Sequence, residues 1–305
     1  MSPSRRDVDL FAFQIMLVLC VLWGMQQVAV KVAAPDLPPI VQATARSAIS
    51  AVLVGLLMCW RGGWEGVRQG TVPAGVLAGA LFALEFLLMA IALGYTSASH
   101  VGVFTYTAPI FAALGLHVLL PGERLRRLQW VGIAVSFVGI AIAFGGGMTL
   151  SDVNPRTLLG DGLAVLAGLA WGMTTVVVRA SKLSEAPPTL TLFYQLFVSF
   201  LLLLGATFAM GEHTHLAWTP RATLILLFQA VVISFASYLA WFWMLRRYVA
   251  AGLSVFSFMT PLFGVTFGVL LLDDPLSWNF VTGALLVLLG IVLVSSEPYV
   301  RRLLR

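Results

Sequence analysis

Charged side chains are scarce in this chain of 305 residues: Asp, Glu, Lys and Arg make up 10% of it, whereas hydrophobic residues make up 60%. A soluble globular domain carries roughly 25% charged residues. A fold this apolar would lack the polar surface that must face water on all sides. The composition therefore excludes a soluble protein and indicates a polytopic membrane protein, for which the bilayer is the solvent.

Cysteine is also rare. The chain contains Cys20 and Cys59, both inside apolar runs, with neither metal-ligand spacing nor a disulfide framework. Catalytic signatures are missing as well, including His-Glu-x-x-His, Gly-x-Ser-x-Gly and a close pair of carboxylates within an apolar run. The glycine run at 145–147 lacks the lysine of a phosphate loop. We therefore expect no enzymatic activity, no metal and no cofactor.

The net charge of +5 does not indicate a nucleic-acid partner. The basic residues are scattered between the apolar runs and form no continuous patch. Membrane proteins retain Lys and Arg in their cytoplasmic loops, which explains the excess. The expected partners are the lipid bilayer and a small-molecule substrate, and nucleic acid is excluded.

Long hydrophobic runs are what the chain has in place of charge. A membrane-spanning helix needs about 20 mainly apolar residues, whereas a barrel strand needs only about 9–11 with alternating polarity. Ten runs favour helices and are numbered here as spans 1 to 10 in chain order. They cover residues 10–30, 38–60, 73–94, 98–120, 127–146, 158–179, 189–210, 221–245, 250–272 and 278–296. The first follows Arg5 and Arg6 as in a signal peptide, but it is long enough to span and is expected to be retained.

The distribution of Lys and Arg predicts the orientation. With ten spans and a cytoplasmic N-terminus, Lys31, Arg156 and Arg221 lie outside, Arg46 lies within the membrane, and the remaining basic residues lie on the cytoplasmic side. Cytoplasmic loops of membrane proteins carry such an excess. The pattern predicts a multi-pass protein of the plasma membrane, with a bacterial inner membrane favoured and both termini cytoplasmic.

The sequence also repeats itself. Trp23-Gly24-Met25 in span 1 matches Trp171-Gly172-Met173 in span 6, and each half holds five spans. An odd number of crossings forces the second half to enter from the opposite face, which is the inverted repeat of secondary transporters. The predicted divisions are a first five-helix repeat at 1–146, a second inverted repeat at 158–296 and a basic cytoplasmic tail at 297–305.

These features resemble the EamA-type family of the drug/metabolite transporter superfamily. The motifs that carry the resemblance are Leu22-Trp23-Gly24, Tyr95-Thr96-Ser97-Ala98-Ser99, Pro109 and Gly122-Glu123-Arg124-Leu125 in the first half, and Ala170-Trp171-Gly172, Tyr248-Val249-Ala250-Ala251-Gly252, Pro261 and Asp273-Asp274-Pro275-Leu276 in the second. The resemblance implies an all-α membrane protein with ten transmembrane helices in two inverted-topology five-helix repeats. It further implies a central cavity lined mainly by spans 1, 3, 4, 6, 8 and 9, and export of small metabolites. Similar members handle amino acids, including aromatic ones, while others handle purines, cationic compounds or phosphorylated metabolites.

Charged side chains inside a bilayer are costly and are candidates for function. The spans contain two clear ones, Arg46 in span 2 and Glu85 in span 3. At 1.5 Å per residue, they lie about 12 Å and about 15 Å from the outer ends of their spans. The similar depths leave two interpretations open. The two residues form a salt bridge between spans, or they line a cavity in which Glu85 binds a substrate amine or titrates during transport.

The other candidate binding residues are aromatic or polar. Trp23 and Trp171 occupy equivalent positions of the two halves, either as interfacial anchors or as walls of a pocket. The remaining candidates are Gln27 in span 1, Met89 in span 3, His100 and Thr107 in span 4, Thr175 in span 6, Tyr238 and Trp241 in span 8, and Ser257 in span 9. Such stripes also arise from helix packing. Their mixture of aromatic and hydroxyl groups would suit a small amphipathic solute.

Proline and glycine suggest how the spans bend and pack. Pro109 and Pro261 interrupt spans 4 and 9 and are expected to kink them, as static bends or as hinges. Glycines thin spans 5 and 10, which are expected to pack on the other helices or on a second protomer, so a homodimer stays open. The pair Asp273-Asp274 lies at a span end, where we expect both carboxylates to be solvated.

Together these patterns predict a secondary transporter that exports small metabolites, above all neutral or aromatic amino acids. Transport of a nucleoside or purine, a cationic drug or a lipid-linked sugar is the alternative. A membrane scaffold without transport activity is a third hypothesis, which the inverted repeat and the charged side chains within the spans disfavour.

Overall fold

The described part of the chain is helical in a computed structural model. The structure describes residues 9–64, 67, 70–120, 125–144, 154–214, 216–248 and 259–303. In these residues, seven helices are long and apolar enough to cross a membrane, and three further apolar helices are shorter. The protein is an all-α, multi-pass membrane protein.

The described helices overlap the predicted spans, while residues 250–258 of span 9 lie outside the described residues. The helices are α1 Leu10–Ala33, α2 Pro39–Arg61, α3 Val72–Ala92, α4 Ala98–Thr105, α5 Ala108–Leu119, α6 Arg127–Phe144, α7 Pro155–Arg179, α8 Pro188–Ala209, α9 Pro220–Leu227, a π-helical segment Phe228–Ser237, α10 Tyr238–Arg247, α11 Met259–Leu272 and α12 Trp278–Leu303. Their starts have local causes. Asp9 accepts a hydrogen bond from the Ala12 amide at 2.8 Å, and Pro39 and Pro188 open α2 and α8, where no backbone donor is needed.

Span 4 is two helices rather than one. It breaks at Tyr106 and Thr107, between α4 and α5, and Pro109 lies in the first turn of α5. The Phe104 carbonyl accepts from both the Thr107 amide, at 3.1 Å, and the Thr107 hydroxyl, at 2.6 Å, so the break is held by local hydrogen bonds. Pro109 therefore starts a helix, and its predicted kink takes the form of this break.

Span 8 contains the ten-residue π-helical segment, which the apolar pattern does not predict. π-helix is rare and is found mostly as short bulges, frequently at functional sites. Side chains of the first half bond into it: the Ser50 hydroxyl donates to the Ala230 carbonyl at 2.9 Å, and the Trp23 indole donates to the Ser237 hydroxyl at 2.8 Å.

The last helix extends beyond span 10. The apolar pattern ends at residue 296, where the predicted tail begins, and α12 continues to Leu303. Hydropathy marks where a helix leaves the membrane, whereas backbone hydrogen bonds continue into polar sequence. The tail is thus largely a continuation of the last helix.

The helices pack in pairs. The helix α6 packs against α12, α2 against α8, α1 against α11, α5 against α7, and α3 against both α7 and α8. Gly139 and Gly283 meet where α6 crosses α12, and a Cβ atom on Gly139 would lie 2.6 Å from the Gly283 carbonyl oxygen. The glycines of spans 5 and 10 therefore allow these two helices of one chain to approach each other closely.

Candidate functional site

A small cavity lies among α1, α2, α3 and the π-helical segment. Its lining residues are Gln26, Gln27, Val30, Pro39, Ala43, Arg46, Phe86, Met89, Ala90, Leu93 and Gln229. Its volume is about 20 Å³, which suffices for a water molecule and not for an amino acid. A metabolite would therefore enter only when the surrounding helices move apart.

Arg46 is the charged residue of the cavity. It is 1% exposed, and its guanidinium carbon lies 4.0 Å from the centre of the Phe86 ring. This cation–π contact partly compensates the buried charge. The Nε and Nη2 atoms are buried and have no hydrogen-bond partner among the described residues. Buried donors of this kind are costly when they stay unpaired, so the site is suited to an incoming acceptor.

Glu85 lies near Arg46 but does not form a salt bridge with it. Among the described residues, the side-chain ion pair within 4.0 Å joins His100 and Asp161. The predicted pairing of Arg46 with Glu85 is therefore not formed in this structure, because the guanidinium stacks on Phe86. Glu85 is 5% exposed, and its Oε2 has no hydrogen-bond partner among the described residues.

A chain of two glutamine amides joins the halves beside the cavity. The Gln42 Nε2 donates to the carbonyls of Val30, at 3.0 Å, and Leu37, at 2.7 Å. The Gln229 Nε2 donates to the Gln42 Oε1 at 2.8 Å. Both glutamines are fully buried, and the Gln229 Oε1 has no partner among the described residues.

An aromatic cluster lies beside the π-helical segment. Trp23 makes edge contacts with Tyr238, at 6.4 Å between ring centres, and with Trp241, at 5.7 Å. Trp171 of the second half makes an edge contact with Tyr106 of the first half, at 5.3 Å between ring centres, at the break between α4 and α5. The two tryptophans are thus each packed against aromatic neighbours.

Apart from Glu85 and Trp171, described above, and His100, described below, the predicted site residues fall into three groups. Gln27, Arg46 and Met89 line the cavity, while Trp23, Tyr238 and Trp241 form the aromatic cluster.

The second group lies elsewhere. Thr107 bonds within its own helix break, and Thr175 is exposed with its hydroxyl bonded to the Trp171 carbonyl, so neither is brought to the cavity. Pro261 is buried in the first turn of α11. Ser257 forms the third group by itself, because it lies outside the described residues.

His100 belongs to a separate cluster, which lies where the C-terminal end of α3 leads into α4. Its Nδ1 lies 2.9 Å from both carboxylate oxygens of Asp161, and its ring stacks on Phe280 at 3.9 Å. The Thr96 hydroxyl donates to the same carboxylate at 2.6 Å, and the Lys31 ammonium donates to the Thr96 carbonyl at 3.0 Å. The cluster ties the two halves together.

Asp274 was expected to be solvated, and this expectation is wrong. Its side chain is 7% exposed and accepts from the Ser99 amide at 2.9 Å and the Ser99 hydroxyl at 2.8 Å. The amide belongs to the first turn of α4, where the helix lacks internal acceptors and favours a negative charge. Contact with α4 therefore removes this carboxylate from solvent.

Sequence reasoning missed three functional candidates, Gln42, Gln229 and Asp161. The search was confined to clear charges within the spans and to residues that share a helix face. A scan for every strongly polar side chain inside an apolar run would have found all three, because a buried amide or carboxylate needs hydrogen-bond partners.

The comparisons with known proteins agree with this architecture. The model of the EamA-like transporter family matches residues 10–145 and again residues 158–296. The uncharacterized transporter YoaV of Bacillus subtilis is 25% identical, with 88% of this chain and 91% of the relative covered.

Two relatives from Escherichia coli have names that state a substrate. The probable amino-acid metabolite efflux pump is 24% identical, over 90% of this chain and 91% of the pump. The aromatic amino acid exporter YddG is 26% identical, over 91% of this chain and 94% of the exporter.

A crystal structure of a protein 17% identical in sequence superposes with a TM-score of 0.65 and covers 96% of this chain and 99% of its own, which shows a shared fold. The family model covers most of the chain in two matches. The three relatives are named as a transporter, an efflux pump and an exporter, and each aligns with this chain over nearly its full length. The chain therefore belongs to the EamA-like transporter family.

Proposed function

We propose that this protein is a secondary transporter that exports small metabolites, above all amino acids, by alternating access through the cavity at Arg46. The observation that carries the proposal is a buried guanidinium with unpartnered donors in a cavity between the two halves. A charge in the membrane interior is expensive to keep, and such residues mark substrate pathways. A substrate carboxylate is the partner that an arginine fork binds best.

The groups around the cavity favour a substrate with a carboxylate headgroup and an apolar part. The unpartnered donors of Arg46 suit the carboxylate. Amino acids combine such a headgroup with an apolar side chain, for which the cluster of Trp23, Tyr238 and Trp241 offers an aromatic surface. Two relatives named for amino-acid export support the same class.

We further propose ten transmembrane helices in two inverted repeats, at 1–146 and 158–296. The family model matches once in each half. The packing supports the symmetry, because α1 packs against α11 as α7 packs against α5. A Cβ atom on Gly24 would meet a carbonyl oxygen, a Cβ and an amide of α11, and one on Gly172 would meet the same three kinds of atom in α5.

In this proposal the two halves rock around the central site. Pro109, at the break in span 4, and Pro261, in α11, are the expected hinges. The bias of Lys and Arg supports a plasma-membrane location, a bacterial inner membrane above all, with both termini in the cytoplasm. The cluster of His100 and Asp161 then lies on the outer side.

Counterflow in liposomes tests the proposal, because exchange of labelled for unlabelled solute requires no knowledge of the driving force. Purified protein would be reconstituted with unlabelled L-phenylalanine or L-leucine inside, and uptake of the labelled amino acid followed. We expect saturable uptake that falls at least tenfold in Arg46→Met, since a charge-assisted hydrogen bond is lost. Arg61→Met is the matched control, because Arg61 is exposed at the end of the same helix.

Competent liposomes without counterflow of any amino acid would contradict the proposed substrate. The same assay with nucleosides, organic cations and lipid-linked sugars would then identify the class transported. Normal counterflow in Arg46→Met would remove the cavity from the transport route.

A further inference from the structure

The orientation of the Gln42 amide is fixed by its neighbours. Its nitrogen lies 3.0 Å and 2.7 Å from two backbone carbonyl oxygens, those of Val30 and Leu37. Carbonyls only accept, so the group that faces them is the amide nitrogen and the Gln42 oxygen points the other way. Val30 lies in the last turn of α1, where a carbonyl needs a partner from outside the helix. The amide is therefore a structural tie with a single orientation.

Gln42 in turn fixes the orientation of Gln229. The Gln42 Oε1 accepts a hydrogen bond from the Gln229 Nε2 at 2.8 Å. An amide that donates with its nitrogen presents its oxygen on the opposite branch, so the Gln229 Oε1 has a defined direction. This oxygen is buried, has no partner among the described residues, and belongs to a residue that lines the cavity. The residues that line the cavity thus include one with an unpartnered acceptor, Gln229 of the π-helical segment, and one with unpartnered donors, Arg46.

Gln229 is better placed for this role than Glu85. Glu85 also has an unpartnered oxygen, but it is not among the residues that line the cavity. Gln229 is the second residue of the π-helical segment and is fully buried. The segment is anchored to α2 again one residue later, because the Ser50 hydroxyl bonds the Ala230 carbonyl.

We propose that the Gln229 Oε1 binds the ammonium group of a zwitterionic substrate whose carboxylate binds Arg46, and that Gln42 is the positioning residue for this oxygen. The inference rests on the proposed transport function and adds the group that selects for an amine. An unpaired buried acceptor and unpaired buried donors are both satisfied by one headgroup that carries the complementary groups. A substrate without an amine leaves the oxygen unpaired and is disfavoured.

The test compares each amino acid with its deaminated counterpart. L-phenylalanine is paired with 3-phenylpropionate and L-leucine with 4-methylpentanoate, and each unlabelled compound competes with counterflow of the labelled amino acid. Direct binding of the same four probes to the purified protein in detergent provides a second readout. The variants are Gln229→Met, which keeps the length of the side chain, and Gln14→Met, a control at an exposed glutamine of α1.

We expect the unmodified protein and Gln14→Met to prefer the amino acid over its deaminated partner. Gln229→Met should weaken amino-acid binding between about tenfold and a hundredfold and leave binding of the deaminated acid unchanged, because only the contact to the ammonium is lost. A preference that survives in Gln229→Met, or an equal loss for both compounds, overturns the inference. An equal loss would indicate a structural amide, for example one that holds a bridging water.

Gln42→Met tests the positioning role without touching the cavity oxygen. We expect it to reduce the ratio between amino acid and deaminated acid by less than Gln229→Met does, because the oxygen remains but can turn away. A merely structural role for Gln42 would lower both affinities together and leave the ratio unchanged, which contradicts positioning. If the unmodified protein neither transports nor binds the two amino acids, the proposed function fails; if it binds them without any role for Gln229, the inference alone fails.

Discussion

Replacing Gly24 or Gly172 with alanine tests whether the two halves pack equivalently. A Cβ atom on Gly24 would lie 2.7 Å from the Phe263 Cβ of α11, and one on Gly172 would lie 2.8 Å from the Phe111 Cβ of α5. Carbon atoms in favourable contact lie about 3.5–4.0 Å apart, so each methyl group overlaps its neighbour by roughly 1 Å. Backbone atoms of the facing helix are as close, at 2.9 Å and 2.7 Å respectively, so a side-chain rotation cannot relieve the overlap.

Each pair of helices must therefore separate, and overpacking of this kind costs about 1–3 kcal/mol. Alanine also favours helix over glycine by about 1 kcal/mol, which would mask part of the loss. Gly162→Ala on α7 corrects for that gain, because nothing lies within 4 Å of its added Cβ. We expect both Gly24→Ala and Gly172→Ala to be about 1–3 kcal/mol less stable than Gly162→Ala.

The assay is equilibrium unfolding in mixed micelles, followed by circular dichroism. Equal losses in the two variants would agree with α1–α11 and α7–α5 being equivalent contacts. Stability equal to that of Gly162→Ala would refute the close approach of the helices, and a loss confined to one variant would refute the equivalence of the halves.

Two further predictions use the same unfolding assay. Asp161→Asn should lower the free energy of unfolding by about 1–3 kcal/mol, because the carboxylate accepts from His100 and Thr96 in a buried cluster. The control Glu185→Gln, at an exposed position, should change the stability little. Equal stability of the two variants would count against a stabilising role of the cluster. Phe86→Leu should lower the free energy of unfolding by up to about 2 kcal/mol more than Phe82→Leu does. Both substitutions remove the contact between these two rings, but only the first removes the cation–π contact with Arg46. Equal losses would show that the cation–π contact contributes nothing measurable.

The positions of the helices could be predicted from the sequence because the bilayer imposes their length. Apolar runs mark the spans, and prolines such as Pro39 and Pro188 mark where two of them begin. The end of α12 at Leu303 does not follow from the apolar run, because hydropathy reports the membrane boundary and not the end of the backbone hydrogen bonding.

Interruptions within spans were harder to predict. The π-helical segment beginning at Phe228 has no proline, and the side chains that bond to it, from Trp23, Gln42 and Ser50, are distant in sequence. The contacts that surround the segment are tertiary, and no local pattern contains them.

The candidate site could be predicted in part. Arg46 was found because a charge in an apolar run is conspicuous, and Gln27 and Met89 lie beside it as expected from their spans. Gln229 could not be singled out, because its importance comes from the direction in which Gln42 turns its amide. Asp274 looks solvated in the sequence and becomes buried only when α4 meets the loop after α11.

The most direct test of alternating access is the accessibility of the cavity from each side of the membrane. Ala43 is buried in the lining, and Ala43→Cys in a background of Cys20→Ala and Cys59→Ala provides a single thiol there. A membrane-impermeant thiol reagent would be applied to right-side-out and to inverted vesicles, with and without L-phenylalanine or L-leucine. We predict labelling from both sides, slowed by a transported amino acid in each case. Labelling from one side alone, or labelling that no amino acid slows, would contradict a central cavity that opens alternately to the two faces.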